Sequence, residues 1–218
     1  MGDAKVSGGG RGRRATAYDL IVLLGLLALF AANLCLGSVG TSPAEVLGIL
    51  LSGPGDTSTA AQVIWQIRLP RVIEAALLGG ALSLSGFLLQ TFFNNPIADP
   101  FVLGVSSGAK LVVAVVMIVV LGADQPMSPA ASVGAAFLGS LLTMGFVLLI
   151  SRRVRSQGML IVAGVMVGYI CSAATNFLVA FADDQAIVNL DNWSRGSFSG
   201  ATWPDAGIIA VAVVAMAA

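Results

Sequence analysis

Histidine is absent from this 218-residue chain, and only 10% of its residues are charged. Without histidine the chain lacks the side chain that most often serves as a general base or as a metal ligand. Its two cysteines, Cys35 and Cys171, lie in separate apolar runs, so neither a disulfide framework nor a metal cluster is indicated. The net charge of zero gives no bulk basic surface of the kind that nucleic-acid binding requires. These absences argue against most soluble enzymes and nucleic-acid-binding proteins.

What the chain has instead is hydrophobic length. Apolar residues make up 57% of it and the mean hydropathy is +0.93, whereas a soluble domain is about 25% charged. Five runs are long enough to cross a bilayer, and a sixth stops at residue 218: 18–36, 69–93, 104–121, 131–150, 159–181 and 208–218. The sequence therefore predicts an all-α, polytopic membrane protein with five complete transmembrane helices and a partial sixth. We expect a disordered basic tail over residues 1–17 and one membrane domain over residues 18–218, truncated at its C-terminal end.

The loops between the runs give further predictions. Ser42, Pro43 and Glu45 have the spacing of a capping box with proline at the first helical position, which predicts a short interfacial helix over residues 43–51. Residues 183–195 are predicted to form a polar loop. Basic residues concentrate in the tail and in residues 151–158, so we expect both segments, and hence the N-terminus, to face the cytoplasm.

The second run has polar residues at both ends. Arg68 and Arg71 lie at its start and Asn95 lies 24 residues beyond Arg71, which is about 36 Å of helix, enough to cross a hydrocarbon core about 30 Å thick. The arginines suit interfacial anchoring or the docking of an acidic partner, and Glu74 has the spacing to pair with Arg71. The Asn-Pro segment after the run suits an ordinary helix end, a gate or a re-entrant pore turn.

Small and polar residues also recur at helical spacing within two of the runs. Such a stripe serves either close packing of helices or the lining of a water-filled path, and the pattern leaves both open. The two sets are Gly79, Ser83, Gly86 and Gln90 in the second run, and Gly164, Gly168, Ser172 and Thr175 in the fifth.

One long motif closely resembles a known family. The segments Arg68-Leu69-Pro70-Arg71, Gly79-Gly80-Ala81-Leu82, Ser85-Gly86, Gln90, Asn95-Pro96-Ile97-Ala98-Asp99-Pro100 and residues 103–109 resemble those of FecCD-type permeases. Residues 160–164 and 193–198 resemble later segments of the same family. These permeases are the membrane subunits of ABC importers for iron-siderophores, haem and cobalamin.

The resemblance implies a function and partners. It implies a homodimer, or a heterodimer with a paralogous permease, in the lipid of a bacterial cytoplasmic membrane. It further implies two cytoplasmic ATPase subunits and an extracytoplasmic substrate-binding protein, with no nucleic acid, no metal and no cofactor bound by this chain. Arg68 and Arg71 would dock the binding protein, Asn95, Pro96 and Ile97 would form a cytoplasmic gate, and both stripes would line the pathway. Ile97 stands where cobalamin importers have leucine, and the segment that contacts the ATPase in the family is missing.

The preferred prediction is thus a permease subunit of an ATP-driven importer of iron-siderophores or another metal chelate. A channel with a re-entrant Asn-Pro turn is the alternative, although such channels tend to carry the turn in two copies and this chain has one. A membrane-embedded enzyme is a weaker third reading, because neither histidine nor a pair of intramembrane acids is present.

Overall fold

The computed structural model describes residues 9–37, 40–97, 99, 101, 103–121, 127–153 and 156–217, and the secondary structure within these ranges is entirely helical. The chain divides into two compact units, Met1–Leu78 with Phe198–Ala218, and Gly79–Ser197. The helices, in chain order, are α1 Gly9–Cys35, α2 Pro43–Ser52, α3 Thr59–Val63, α4 Leu69–Phe93, α5 Val105–Ala114, α6 Pro129–Ser151, α7 Gln157–Val179, α8 Asp184–Arg195 and α9 Trp203–Ala217. π-helical segments, Ile64–Arg68 and Val115–Leu121, join α3 to α4 and extend α5.

The first helices confirm some predictions and extend others. α1 begins at Gly9, so residues 9–17 of the predicted disordered tail form its first turns. The arginines of this segment are good helix formers, and a helix adds further turns at little cost once it is nucleated. Residues 1–8 lie outside the described residues. α2 has the predicted capping box, in which the Glu45 backbone N–H donates to Ser42 Oγ at 3.3 Å and the Ser42 N–H donates to Glu45 Oε2 at 3.4 Å.

α4 has the predicted bounds, but it continues an earlier helix instead of starting a new one. Together α3, the π segment and α4 form 35 helical residues, Thr59–Phe93. Pro70 lies at the second position of α4, where it lacks an N–H and its ring crowds the preceding turn. The π turn directly before it is wider than an α turn, which lets the chain stay helical through the proline.

The unit from Gly79 to Ser197 is built around α5, α6 and α7. One cluster of buried side chains joins the end of α4 to these helices through Phe93, Leu103, Val147 and Leu160. Residues near the C-terminal ends of α4 and α6 line a common crevice, so these two helices end on the same side.

α8 corrects the predicted polar loop. Residues Asp184–Arg195 form a helix in which Ala186 and Leu190, four residues apart, are buried. The Arg195 Nε donates to Asp191 Oδ2 at 2.7 Å on its exposed side. Residues 184–195 are mostly polar, but Ala186 and Leu190 form one apolar stripe, which is enough to pack an amphipathic helix against a core.

By length and composition, the described residues include four helices able to cross a membrane: Thr16–Cys35, Thr59–Phe93, Pro129–Ser151 and Gly158–Val179. The third predicted run corresponds to a shorter apolar helix, Val105–Val120, and the last to Trp203–Met216. The chain is therefore a multi-pass membrane protein.

Candidate functional site

Arg68 is buried, with only 7% of its surface exposed. Its Nη1 donates to the carbonyl oxygens of Leu34 at 2.5 Å and Cys35 at 3.3 Å, and to Thr41 Oγ1 at 3.0 Å. The last carbonyls of a helix have no partner within the helix and carry partial negative charge. Arg68 therefore caps the C-terminal end of α1 and holds the following segment against it.

Arg71 is only half-buried and binds a different part of the chain. Its Nε donates to the Phe198 carbonyl at 2.9 Å and its Nη2 donates to the Ser199 carbonyl at 3.2 Å. The ion pair that the spacing allowed between Arg71 and Glu74 does not form between these two described residues. The guanidinium group of Arg71 thus rests on neutral acceptors.

Glu74 is 6% exposed, and its Oε1 has no hydrogen-bond partner among the described residues. Its carboxylate interacts with the backbone N–H of Thr202, the residue before α9, and lies within electrostatic range of Asp205. The N-terminal end of a helix carries partial positive charge, which explains why a carboxylate is tolerated here. Spacing in the sequence suggested Arg71 as a partner for Glu74 and gave no sign of this contact with the start of α9.

Two tryptophans complete the attachment of α9. The rings of Trp65 and Trp203 lie with centroids 6.4 Å apart, and Trp203 Nε1 donates to the Trp65 carbonyl at 2.8 Å. Residues 198–203, which we name the α9 entry segment, are therefore held by Trp65, Arg71 and Glu74. Sequence reasoning missed this role of the tryptophans, although polar-edged aromatic residues near apolar helix ends are typical of such contacts.

The Asn-Pro turn follows α4 directly. Asn94 has a φ of 45°, a left-handed conformation that asparagine tolerates better than most residues. Asn95 Oδ1 accepts the Ile97 backbone N–H at 2.9 Å, and the Ile97 side chain is 71% exposed. The turn is thus held locally and presents an apolar side chain at its tip. Ala98 and Pro100 lie outside the described residues.

The small and polar residues predicted to line the path on α4, which we name the α4 stripe, face open space. Gly79, Ser83 and Gln90 are exposed and Gly86 is half-buried. A Cβ atom added to Gly79 or to Gly86 would meet nothing within 4 Å. No neighbour in the described part of the chain therefore explains these small residues.

The corresponding residues of α7 form the α7 stripe, and its two glycines are covered by the chain itself. A Cβ on Gly164 would lie 3.1 Å from Leu103 Cα, and one on Gly168 would lie 3.1 Å from Gly104 Cα. Glycine is favoured at position 104 for two reasons. Its φ of 73° is a left-handed conformation, and a Cβ atom there would collide with the backbone of α7. These contacts favour the packing alternative for both glycines of the α7 stripe, and the sequence did not indicate Gly104 as a partner of Gly168.

The polar members of the α7 stripe differ from each other. Thr175 is 3% exposed and its Oγ1 donates to the Cys171 carbonyl at 2.9 Å, a bond within its own helix. Ser172 is exposed and its Oγ lies 3.4 Å from Ser107 Oγ. Of the four predicted lining residues on α7, Ser172 is the one that combines exposure with a polar group directed at another helix.

The chemistry available on these surfaces is recognition and packing. Among the described residues no group of three or more His, Cys, Asp or Glu side chains could hold a metal ion. The described surfaces offer three features for recognition: the Arg71 guanidinium group bound to neutral carbonyls, the exposed Ile97 side chain at the tip of the Asn-Pro turn, and the exposed α4 stripe.

Comparison with known proteins identifies the family to which the chain is similar. A model of the FecCD transport family matches residues 24–218. The vitamin B12 import system permease protein BtuC of Salmonella arizonae is 36% identical over 186 residues, which are 84% of this chain and 53% of that protein. BtuC of Klebsiella pneumoniae is 36% identical over 192 residues, covering 88% and 54%. A metal-chelate type ABC transporter solved in an inward-facing conformation matches with a TM-score of 0.71 at 26% identity, covering 91% of this chain and 59% of that one. The chain thus spans about half the length of the curated relatives it matches.

Proposed function

Because the chain belongs to the FecCD transport family, we propose that it supplies part of the membrane pathway of an ATP-driven importer for a metal chelate. The observation that carries this proposal is the family match over residues 24–218. The chelate belongs to the class that includes vitamin B12 and iron-siderophores. ATP is hydrolysed on separate cytoplasmic subunits, a binding protein delivers the chelate from outside, and this chain binds no cofactor.

The open α4 stripe supports the assignment of a pathway. Gly79, Ser83, Gly86 and Gln90 form a face with small and polar side chains that the described chain leaves uncovered. A bulky, partly polar chelate needs a wide path with few apolar obstructions. We assign the α4 stripe and Ser172 to that path, with a second permease copy or a paralogue forming its other wall. Gly164, Gly168 and Thr175 keep α7 in place behind it.

We assign the docking contact mainly to Arg71. Its hydrogen bonds go to neutral carbonyls, and a carboxylate of a binding protein would form stronger, charge-assisted bonds with the same guanidinium group. Arg68 would have to leave the end of α1 before it could reach a partner. It therefore contributes to docking indirectly, because it ties the start of α4, from which Arg71 projects, to the end of α1.

We assign the gate to Asn95, Pro96 and Ile97. The bond from the Ile97 N–H to Asn95 Oδ1 fixes the turn, and the exposed Ile97 side chain is the apolar group that would close the path between two copies. In this proposal Asn95 lies on the cytoplasmic side and Arg71 on the outer side of an inner membrane, with the N-terminus in the cytoplasm.

A chimera tests the proposal. Residues 24–218 replace the matching half of the Salmonella arizonae B12 permease, and the chimera is expressed in cells that lack their own permease. We expect uptake of radiolabelled vitamin B12 or of a ferric siderophore, and loss of uptake when the ATPase subunit is inactivated. A chimera that reaches the membrane in normal amounts yet takes up neither chelate would contradict the proposal, and uptake without ATPase activity would favour the channel.

A further inference from the structure

Two apolar crevices lie side by side near the C-terminal end of α6. One, the α6 groove, runs along α6 from Leu141 to Arg152 and has a volume of about 490 Å³. The other, the α4–α6 crevice, lies between the ends of α4 and α6 and has a volume of about 450 Å³. Leu148 lines both, so it forms the ridge between them.

Gly145 gives the α6 groove its depth. It lies in the middle of the groove, and a Cβ at this position would meet nothing within 4 Å. The large side chains around it, Phe146 and Leu149, are exposed. Exposed apolar residues are ordinary on a membrane protein, but a notch between large side chains gives an apolar chain a place to fit.

The length of the groove matches one half of a bilayer. Leu141 to Arg152 is eleven residues, or about 16 Å at 1.5 Å per residue, while half of the hydrocarbon core is about 15 Å thick. The groove therefore extends from the level of a headgroup to the middle of the membrane, which is the depth that one acyl chain covers.

The mouth of the groove is positively charged. Arg152 lines it and Arg153 follows, and both are exposed. No Asp or Glu occurs in the sequence from residue 125 to residue 182, so neither α6 nor α7 carries an acidic side chain beside these arginines. Basic groups at the membrane surface beside a cleft between helices are a typical binding site for anionic lipid headgroups.

We propose that the two crevices bind one anionic phospholipid, whose phosphate pairs with Arg152 and Arg153 and whose two acyl chains lie on either side of Leu148. Two chains, one phosphate and a depth of one leaflet together describe a phospholipid. A transmembrane helix would fill the groove beyond the bilayer midplane and would not need the basic mouth.

Fluorescence quenching by brominated lipids tests this site. Tryptophan replaces Phe146 in the groove or, as the matched control, Phe137, which is exposed on the same helix about 14 Å away. The emission of the parent chain, with its three native tryptophans, is subtracted. The protein is reconstituted in vesicles that contain brominated phosphatidylglycerol or brominated phosphatidylcholine.

We expect the tryptophan of F146W to prefer phosphatidylglycerol by about thirtyfold, the effect of two arginines near an anionic headgroup, and that of F137W to show no preference. R152Q with R153Q should abolish the preference, whereas R195Q, which removes an exposed arginine from α8, should leave it unchanged. G145L, which fills the notch, should reduce quenching of the F146W reporter by either lipid.

Three results would overturn the proposal. Equal quenching of the F146W reporter by both lipids would mean that the groove holds only bulk lipid. A preference that survives R152Q with R153Q would mean that the arginines do not hold the headgroup. A reporter at position 146 that neither lipid quenches, while that at position 137 is quenched, would mean that another protein segment covers the groove.

Discussion

The α4 stripe and the α7 stripe look alike in the sequence and differ in the structure. Both repeat small residues at helical spacing. A Cβ atom added to Gly164 or Gly168 would meet the backbone of Leu103 or Gly104, whereas one added to Gly79 or Gly86 would meet nothing within 4 Å. A small residue that is covered within the chain is explained by packing. The glycines of the α4 stripe are left open by the described chain, and this difference is why we propose α4, and not the glycines of the α7 stripe, for the pathway.

The two arginines repeat the same contrast. Arg68 is buried among acceptors of α1 and Thr41, and Arg71 is half-exposed on two carbonyls of the α9 entry segment. Substitutions on the covered side should therefore reduce stability, and those on the open side should reduce transport more than stability.

Arg68→Ala should give the largest loss of stability. The change leaves the carbonyls at the end of α1 and the buried Thr41 hydroxyl without their charged donor, which costs about 3 kcal/mol. We expect a lower apparent melting temperature of the purified protein in detergent. R195A, which removes an exposed arginine from an i,i+4 pair, is the matched control and should change it little. Equal shifts in the two variants would show that Arg68 does not secure α1.

Gly168→Leu should give the second largest loss of stability. Its Cβ alone would lie 3.1 Å from Gly104 Cα, so the larger side chain must push α5 away from α7 at a cost of about 2 kcal/mol. Thermal unfolding followed by circular dichroism measures the loss. If G168L melts like the parent protein, the contact between α5 and α7 is looser than described and the contrast between the stripes disappears.

Arg71→Gln should have a smaller effect on stability, about 1 kcal/mol, because its bonds are partly exposed. Its effect on docking should be larger, so stimulation of ATPase activity by the binding protein should fall in a complete transporter that carries this segment. Arg71→Lys serves as the comparison, since it keeps the charge but not the planar fork. If the binding protein still stimulates ATPase activity fully in R71Q, Arg71 is not part of the docking surface.

Gly86→Leu should change stability least, by less than about 0.5 kcal/mol, since its Cβ meets open space. In the chimera described above it should nevertheless block uptake, because the leucine side chain projects into the proposed path. A G86L chimera with normal uptake would show that the open stripe faces lipid instead.

Local signals in the sequence predicted much of the fold. The capping box gave the start of α2, and hydrophobic length gave both ends of α4, because each depends on residues close together in the chain. α8 was missed because its apolar stripe is only a few residues wide. The burial of Arg68 could not be predicted, since its acceptors lie 27 to 34 residues away. The relatives are importer permeases, and they give no support to the channel alternative.

The bond between Arg68 and Leu34 also has a consequence for the order of events during synthesis. A ribosome adds about 5–20 residues per second, so Arg68 appears a few seconds after Leu34. Through that interval the carbonyls that end α1 must pair with water or lipid headgroups, because their donor does not yet exist. The first membrane helix is thus completed only when the second begins to arrive, and slower translation between them would lengthen the time that its end stays open.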